Sequence, residues 1–147
     1  MNLQSTSYLT RFQTIAVVAD GEVWRWARGG RKELALPQTL YEEAELLLDA
    51  YCNQEMPEHV RQQLRYGYLA SGNAITLFAE RPHFLNKARW IRENIARFRY
   101  TKLSQKWTLY FQDRNLKWRI YEHIKPSSTF SKLLKEVEKD PTHIFWG

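Results

Sequence analysis

Between residues 64 and 122 the chain alternates apolar and polar side chains, which is the pattern of strands that bury one face. Turn-forming triplets separate the segments, Ser71-Gly72-Asn73 early on and Asp113-Arg114-Asn115 near the end. Pro82 is expected to end the second strand, because proline cannot donate to a strand ladder. Residues 83–96 are ambiguous, and a short helix over residues 87–95 is one interpretation. The alternation predicts a mostly antiparallel sheet of five strands, over residues 64–70, 74–80, 97–103, 107–112 and 116–122.

Helical spacing precedes this region. Apolar residues recur every three or four positions between residues 40 and 51, and carboxylates occupy the other side of the helix. Thr39 followed by Glu42 has the spacing of a capping box, which predicts that the helix begins there. Pro57 lies beyond the expected end of the helix.

A second helix is predicted near the C-terminus, with Ser127 or Ser128 as its cap and Pro141 beyond its end. Residues 144–147 are too apolar to extend into water, and we expect them to dock on the core. The predicted fold class is therefore α+β, a sheet of about five strands with flanking N- and C-terminal helices. The apolar stripe of the second helix comprises Phe130, Leu133, Leu134 and Val137.

The N-terminal region has the pattern of an appended hairpin. Residues 13–19 and 22–28 flank Asp20-Gly21, a pair that favours the tight turn of a β-hairpin. We therefore divide the chain into a hairpin extension over residues 1–36 and a single α+β domain over residues 37–147. The hairpin also carries three apolar side chains, Val23, Trp24 and Trp26. They could form the exposed patch typical of an interaction surface, and the alternative is that they cap the domain's own core.

Positive charge is concentrated in the middle of the chain. Residues 61–126 hold fourteen basic and four acidic residues, whereas residues 1–60 hold five basic and nine acidic ones. The whole chain has a formal net charge of +6 at pH 7. A basic region of this kind attracts nucleic acid or another polyanion, although a solvated lysine and arginine surface is the plainer explanation.

Alternation within the strands predicts which side chains share a face. Trp107, Leu109 and Phe111 are expected to form a core layer, joined by Trp118 and Ile120. The opposite face could then combine cations for phosphates with rings that stack on bases, as in binders of single-stranded nucleic acid. The alternative is that helices cover this face and the cations lie at its rim. Its predicted members are Thr76, Phe78, Glu80, Arg97, Arg99, Thr101, Lys106, Thr108, Tyr110, Gln112, Lys117, Arg119 and Tyr121.

Two acidic residues lie near strand ends, each with a basic neighbour. Glu80 is followed by Arg81, and Asp113 is followed by Arg114 and, further on, by Lys117. If the two ends converge, the carboxylates could support acid–base or metal-assisted phosphate chemistry; separate structural salt bridges are the alternative. Because no recognised catalytic motif accompanies them, the sequence leans against an enzyme without excluding one.

Several other classes of function lack support. Cys52 is the single cysteine, so no intramolecular disulfide can form, and the four histidines have no metal-ligand spacing. We therefore expect no metal and no cofactor. The longest early apolar run, residues 15–19, is too short for a signal peptide or a membrane span. These features predict a cytoplasmic protein without a membrane partner.

Several short segments follow one another in a distinctive order, at residues 56–61, 75–82, 99–100, 107–111, 113–121 and 145–147. This order resembles that of a bacterial family known only as a domain of unknown function, family 3024. The resemblance spans residues 37–147 and supports these boundaries for the domain. It implies no established activity, substrate or cofactor. Polar residues within the matched segments are better candidates for a site than for a core.

The leading hypothesis is a non-catalytic module that binds nucleic acid or another polyanion. The alternative is a protein–protein interaction module, either a homodimer or an inhibitor of a partner protein, and a less favoured one is a phosphate-substrate enzyme that uses Glu80. The predicted binding residues are Glu80, Arg81, Arg97, Arg99, Tyr110, Arg114, Lys117, Arg119 and Tyr121.

Overall fold

The computed structural model describes residues 9–10, 12–13, 36–54 and 57–147. The predicted N-terminal hairpin lies outside these residues, apart from Gln13. In the described part, one longer helix precedes a five-stranded antiparallel sheet in the chain and another follows it, so the predicted α+β class is confirmed. In chain order the elements are β1 (Leu9–Thr10), β2 (Phe12–Gln13), α1 (Gln38–Cys52), α2 (Glu58–Arg61), β3 (Arg65–Ser71), β4 (Ala74–Pro82), β5 (Trp90–Thr101), β6 (Lys106–Gln112), β7 (Trp118–Ile120) and α3 (Phe130–Lys139).

The main sheet is a meander in which β3, β4, β5, β6 and β7 lie in sequence order and each pairs antiparallel with the next. The helix expected over residues 87–95 is wrong, because β5 already begins at Trp90. A β-bulge explains the missed strand: Leu77 pairs with Ala96 and Phe78 with Asn94, which leaves Ile95 as an extra residue. The alternation shifts by one residue there, so the sequence shows no continuous period of two.

One face of the sheet forms the core. Ala44 and Leu48 of α1 are fully buried, and so are most residues of the apolar stripe of α3, as predicted. The aromatic rings of Phe130 and Trp107 meet edge to face with centroids 5.0 Å apart, which joins α3 directly to β6. The strand residues beneath the two helices are Ile75, Leu77, Ala79, Ile95, Ala96, Phe98, Tyr100, Trp107 and Leu109.

Both helices begin differently from the sequence prediction. α1 begins at Gln38 after Pro37, and no side chain caps it; Glu42 instead accepts a hydrogen bond from the Gln38 amide nitrogen at 2.8 Å. The N-cap of α3 is Thr129, again without a side-chain cap. Ser127 contributes two residues earlier, since its hydroxyl accepts a hydrogen bond from the Thr129 N–H at 3.0 Å.

The C-terminal segment docks on the core as expected. Asp140, a buried residue in the left-handed conformation at the end of α3, accepts hydrogen bonds from the backbone N–H groups of Phe145 and Trp146. The indole N–H of Trp146 donates to the Val137 carbonyl at 3.2 Å, and its ring packs against Tyr66 of β3. A carboxylate that satisfies two backbone donors therefore fixes the chain end over the sheet.

Candidate functional site

The two longer helices, α1 and α3, contribute their buried residues to the core on one face of the sheet. We call the opposite face the open face. Its cross-strand rows follow from the pairing: Thr76, Arg97, Tyr110 and Ile120 form one continuous row across β4, β5, β6 and β7. The open face comprises Arg65, Gly67, Leu69, Ala74, Thr76, Phe78, Glu80, Trp90, Arg92, Asn94, Arg97, Arg99, Thr101, Lys106, Thr108, Tyr110, Gln112, Trp118 and Ile120.

Arg97 and Arg99 lie in the middle of this face, next to two aromatic rings. The Arg97 guanidinium lies over the Trp118 ring, 4.3 Å from its centroid, and its Nε donates to the Thr76 hydroxyl at 3.1 Å. Arg99 lies 5.9 Å from the centroid of Tyr110. Neither arginine forms an ion pair with a carboxylate among the described residues. This pair and its two rings form the unpaired cluster.

Electrostatics set this cluster apart. Burial of the Arg97 guanidinium, together with the nearby positive charge of Arg99, lowers the pKa of Arg97 from its ordinary value. An arginine keeps its proton at neutral pH even so, because its ordinary pKa is far above that range. The structure therefore holds two like charges side by side, and an anion placed between them would relieve their repulsion.

The other end of the open face is arranged differently. Glu80 accepts two hydrogen bonds from Arg92, at 3.0 and 3.1 Å, and lies 3.4 Å from Arg65. Each arginine also covers a ring: Arg92 lies 3.8 Å from the centroid of Phe78, and Arg65 lies 3.6 Å from that of Trp90. This paired cluster has two cations and one anion, so its charge is partly neutralised within the face.

Three residues predicted for the open face lie elsewhere. Tyr121 is 1% exposed and belongs to the core, where its hydroxyl donates to Glu136 at 3.0 Å. Arg119 pairs with Phe111 and therefore lies on the helix side of the sheet; by alternation Lys117 lies on that side too. Conversely, Trp118 pairs with Gln112 and belongs to the open face rather than to the core. The prediction for β7 is therefore wrong: it put each side chain of this strand on the opposite face of the sheet.

Asp113 organises the turn between β6 and β7. It accepts hydrogen bonds from the Arg119 guanidinium at 2.8 Å and from the backbone N–H groups of Lys117 and Asn115, both at 2.9 Å. These donors, Arg119 foremost, hold the pKa of the Asp113 carboxyl below its ordinary value. Its role here is structural, and Arg114 lies exposed in the same turn.

The two predicted carboxylates do not form a common site. Strand β5 separates the strand of Glu80 from the strand that leads to Asp113, and each carboxylate has its own arginine partners. Arg81 forms an exposed ion pair with Glu93 at 2.6 Å and alternates away from the open face. The structure therefore brings Arg97, Arg99 and Tyr110 together and leaves Arg81, Arg114, Lys117 and Arg119 outside that group.

Sequence reasoning missed four participants of the open face: Arg65, Trp90, Arg92 and Trp118. Two of these lie in the stretch that was ambiguous, and Arg65 was not assigned to a face. A usable signal was present, since the alternation of Trp90, Arg92 and Asn94 repeats every second residue. Trp118 carried no such signal, because a tryptophan is expected in a core.

Other chemistry lacks a structural basis in the described residues. Burial raises the pKa of the Cys52 thiol, and the charge of Asp49 adds to the effect, so the thiol stays protonated. No group of three or more histidine, cysteine, aspartate or glutamate side chains in the described part could hold a metal ion. No helix in that part is both long and apolar enough to cross a membrane.

These features define a class of protein: an α+β protein whose antiparallel sheet is covered by helices on one side and carries arginines and rings on the other. The family model described as "Domain of unknown function (DUF3024)" matches residues 36–147, and the chain belongs to that family. No curated protein and no solved structure matches the chain.

Proposed function

We propose that this protein binds single-stranded nucleic acid on the open face, without catalysis. The observation that carries the proposal is the unpaired cluster: Arg97 and Arg99 stand beside Trp118 and Tyr110 without a carboxylate partner among the described residues. Cations beside aromatic rings on a strand surface suit a polyanion that also presents flat bases.

The chemistry of the cluster fits both parts of a nucleotide. A guanidinium that lies flat on a ring keeps the N–H groups in its plane available for phosphate oxygens. Arg97, Tyr110 and Trp118 are half-buried, so part of each surface remains accessible to a base. Stacking of this kind contributes about 1–3 kcal/mol per base in single-strand binders.

The geometry of Arg97 lowers the cost of binding. Its guanidinium is held by the Thr76 hydroxyl at 3.1 Å and by the Trp118 ring, so little side-chain freedom remains to be lost. Partial burial has also removed part of its hydration. Repulsion between Arg97 and Arg99 falls when a phosphate lies between them, which favours the bound state.

The paired cluster is expected to contribute less. A phosphate near Arg92 or Arg65 meets the Glu80 carboxylate, whose side chain is 21% exposed. Glu80 therefore orients two arginines and weakens their attraction for an anion at the same time. We place the strongest contacts at the unpaired cluster, and we assign Glu80 a positioning role rather than acid–base chemistry.

Equilibrium binding of a fluorescent oligothymidine of about 12 nucleotides, at roughly 50 and 200 mM salt, tests the proposal. The informative variant is Arg97→Ala/Arg99→Ala, and Lys117→Ala is the control, since Lys117 is an exposed cation on the other side of the sheet. We expect the double variant to bind at least about tenfold more weakly and to lower the salt slope by about 1 to 1.5. The control should change both quantities much less.

Two results would contradict the proposal. The first is equal binding by the double variant and the wild type, with both still folded by circular dichroism. The second result combines two measurements: heparin at equal charge concentration displaces the oligonucleotide, and replacing Trp118 with leucine causes no loss of affinity for the oligonucleotide. That second result would identify a polyanion site that does not recognise bases.

A further inference from the structure

The loop between β4 and β5 exposes two adjacent apolar side chains. Phe84 and Leu85 are each 79% exposed. Single exposed apolar residues are common on protein surfaces, but these two are adjacent. We call this pair the tip. It lies at the far end of the hairpin formed by β4 and β5, after the last cross-strand pair of Pro82 with Trp90. An exposed apolar pair on a hairpin end is typical of a contact with another molecule.

The loop that carries the tip is well organised. The His83 N–H donates to the Arg89 carbonyl at 2.7 Å, which closes the loop. The Nδ1 atom of His83 accepts hydrogen bonds from the N–H groups of Leu85 and Asn86 at 3.0 and 3.3 Å. The imidazole also stacks on the Phe84 ring with centroids 4.9 Å apart. These contacts hold the tip in a defined position, so binding through it would order few additional groups.

The charge around the tip is positive. The loop over residues 83–89 contains Lys87 and Arg89 and no acidic residue. The next open-face residue of the hairpin is Trp90, which is covered by Arg65 from the neighbouring strand β3. Cations therefore continue from the unpaired cluster through the paired cluster to the tip. Along β5, Arg97 and Arg99 lie seven and nine residues after Trp90, which is about 23 and 30 Å at the usual rise per residue.

We infer that the tip is a wedge that contacts the terminal base pair of a duplex, where that duplex continues into the single strand held on the open face. This inference rests on the proposed function and names its substrate class, a nucleic acid with a junction between duplex and single strand. Phenylalanine and leucine are among the side chains that enter base steps and unstack them. Lys87 and Arg89 would neutralise the phosphates beside the opened pair.

Continuity with the open face favours a nucleic acid over a lipid surface. An anionic bilayer would engage the tip and its two cations, but it would leave Arg97 and Arg99 unused, about 23 and 30 Å from Trp90 along β5. A nucleic acid accounts for both groups with one ligand. Binding to lipid is therefore an outcome that the test must recognise.

The test compares three full-length proteins on two probes. The proteins are the wild type, the tip variant Phe84→Ser/Leu85→Ser, and the control Leu103→Ser, whose leucine is 97% exposed at the opposite end of β5. The probes are an oligothymidine of about 12 nucleotides, alone and as the tail of a short duplex. A 2-aminopurine in the terminal base pair of the duplex reports unstacking by its fluorescence. We expect the wild type and the control to bind the tailed duplex about tenfold more tightly than the oligothymidine and to raise the fluorescence.

The tip variant should bind both probes with the affinity that the wild type has for the oligothymidine, and it should leave the fluorescence unchanged. The inference is overturned, with the proposed function intact, if the wild type binds both probes equally or if the tip variant keeps the preference. It is also overturned if vesicles containing phosphatidylserine bind the wild type and not the tip variant, while the tip variant still prefers the tailed duplex to the oligothymidine as the wild type does. Failure of the wild type to bind either probe would instead contradict the proposed function.

Discussion

Residues that alternate along β5 and β6 meet two different environments. On one side Phe98 and Leu109 are fully buried beneath the helices, and on the other Arg97 and Tyr110 stand on the open face. Neighbouring residues of one strand therefore have different roles: the buried apolar residues stabilise the fold, and the open-face cations and rings bind the ligand in the proposed function. The difference teaches that binding and stability should respond separately to substitution, even between adjacent positions.

The largest expected effect compares the stability cost of a substitution in the core on β6 with that of one on the open face of the neighbouring strand β7. Leu109→Ala removes a fully buried side chain and should lower the free energy of unfolding by about 2–5 kcal/mol. Ile120→Ala on the open face should change it by no more than about 0.5 kcal/mol, because Ile120 is already 52% exposed. Urea denaturation followed by tryptophan fluorescence measures both values. Equal losses would show that another part of the chain covers the open face.

A second substitution tests how tightly the open face is packed at its paired cluster. A Cβ atom on Gly67 would lie 2.6 Å from the Phe78 ring, so Gly67→Ala must displace the ring and the Arg92 guanidinium above it. We expect a loss of about 1–3 kcal/mol in the free energy of unfolding. In a Phe78→Leu background the loss should shrink, because the clash is removed. An unchanged loss in that background would contradict the contact.

The smallest expected effect concerns the ion pair of Asp113 with Arg119 on the helix side of the sheet. Donors from Arg119, Lys117 and Asn115 lower the pKa of Asp113, so its ionised form stabilises the fold above the ordinary aspartate pKa. That contribution is lost as the pH falls through the folded-state pKa. Asp113→Asn should therefore lower stability slightly at neutral pH, and the difference from the wild type should vanish in acid. Thermal unfolding across this pH range measures it, and a difference that grows in acid would have the wrong sign.

Much of the fold was predictable because its signals are local. The strands around Ser71-Gly72-Asn73, the stripe of α3 and the docking of Phe145 each depend on patterns within about ten residues, and the structure confirms them. Strand β5 was only half predicted, because the bulge at Ile95 depends on how the strand pairs with β4. The bulge involves Ile95 and Ala96, which are both apolar, so the sequence pattern does not show which of them is the extra residue.

The site was less predictable, and β7 shows why. Asp113 pairs with Lys117 across a turn in which Leu116 has a φ of 63°, an uncommon conformation for leucine. The length of this turn decides which residues of β7 share a face with β6, and a shift of one residue reverses every side chain. Hydrophobicity alone placed Trp118 in the core, and only the pairing shows that it lies beneath Arg97.

The most direct test of the central claim is to observe which arginines contact a single-stranded ligand. The Nε–Hε resonances of arginine, followed by NMR during titration with oligothymidine, distinguish Arg97 and Arg99 on the open face from Arg119, which Asp113 holds on the helix side. We predict that the Arg97 and Arg99 resonances shift with saturation while that of Arg119 stays in place. Shifts at Arg119 with none at Arg97 and Arg99 would contradict the account.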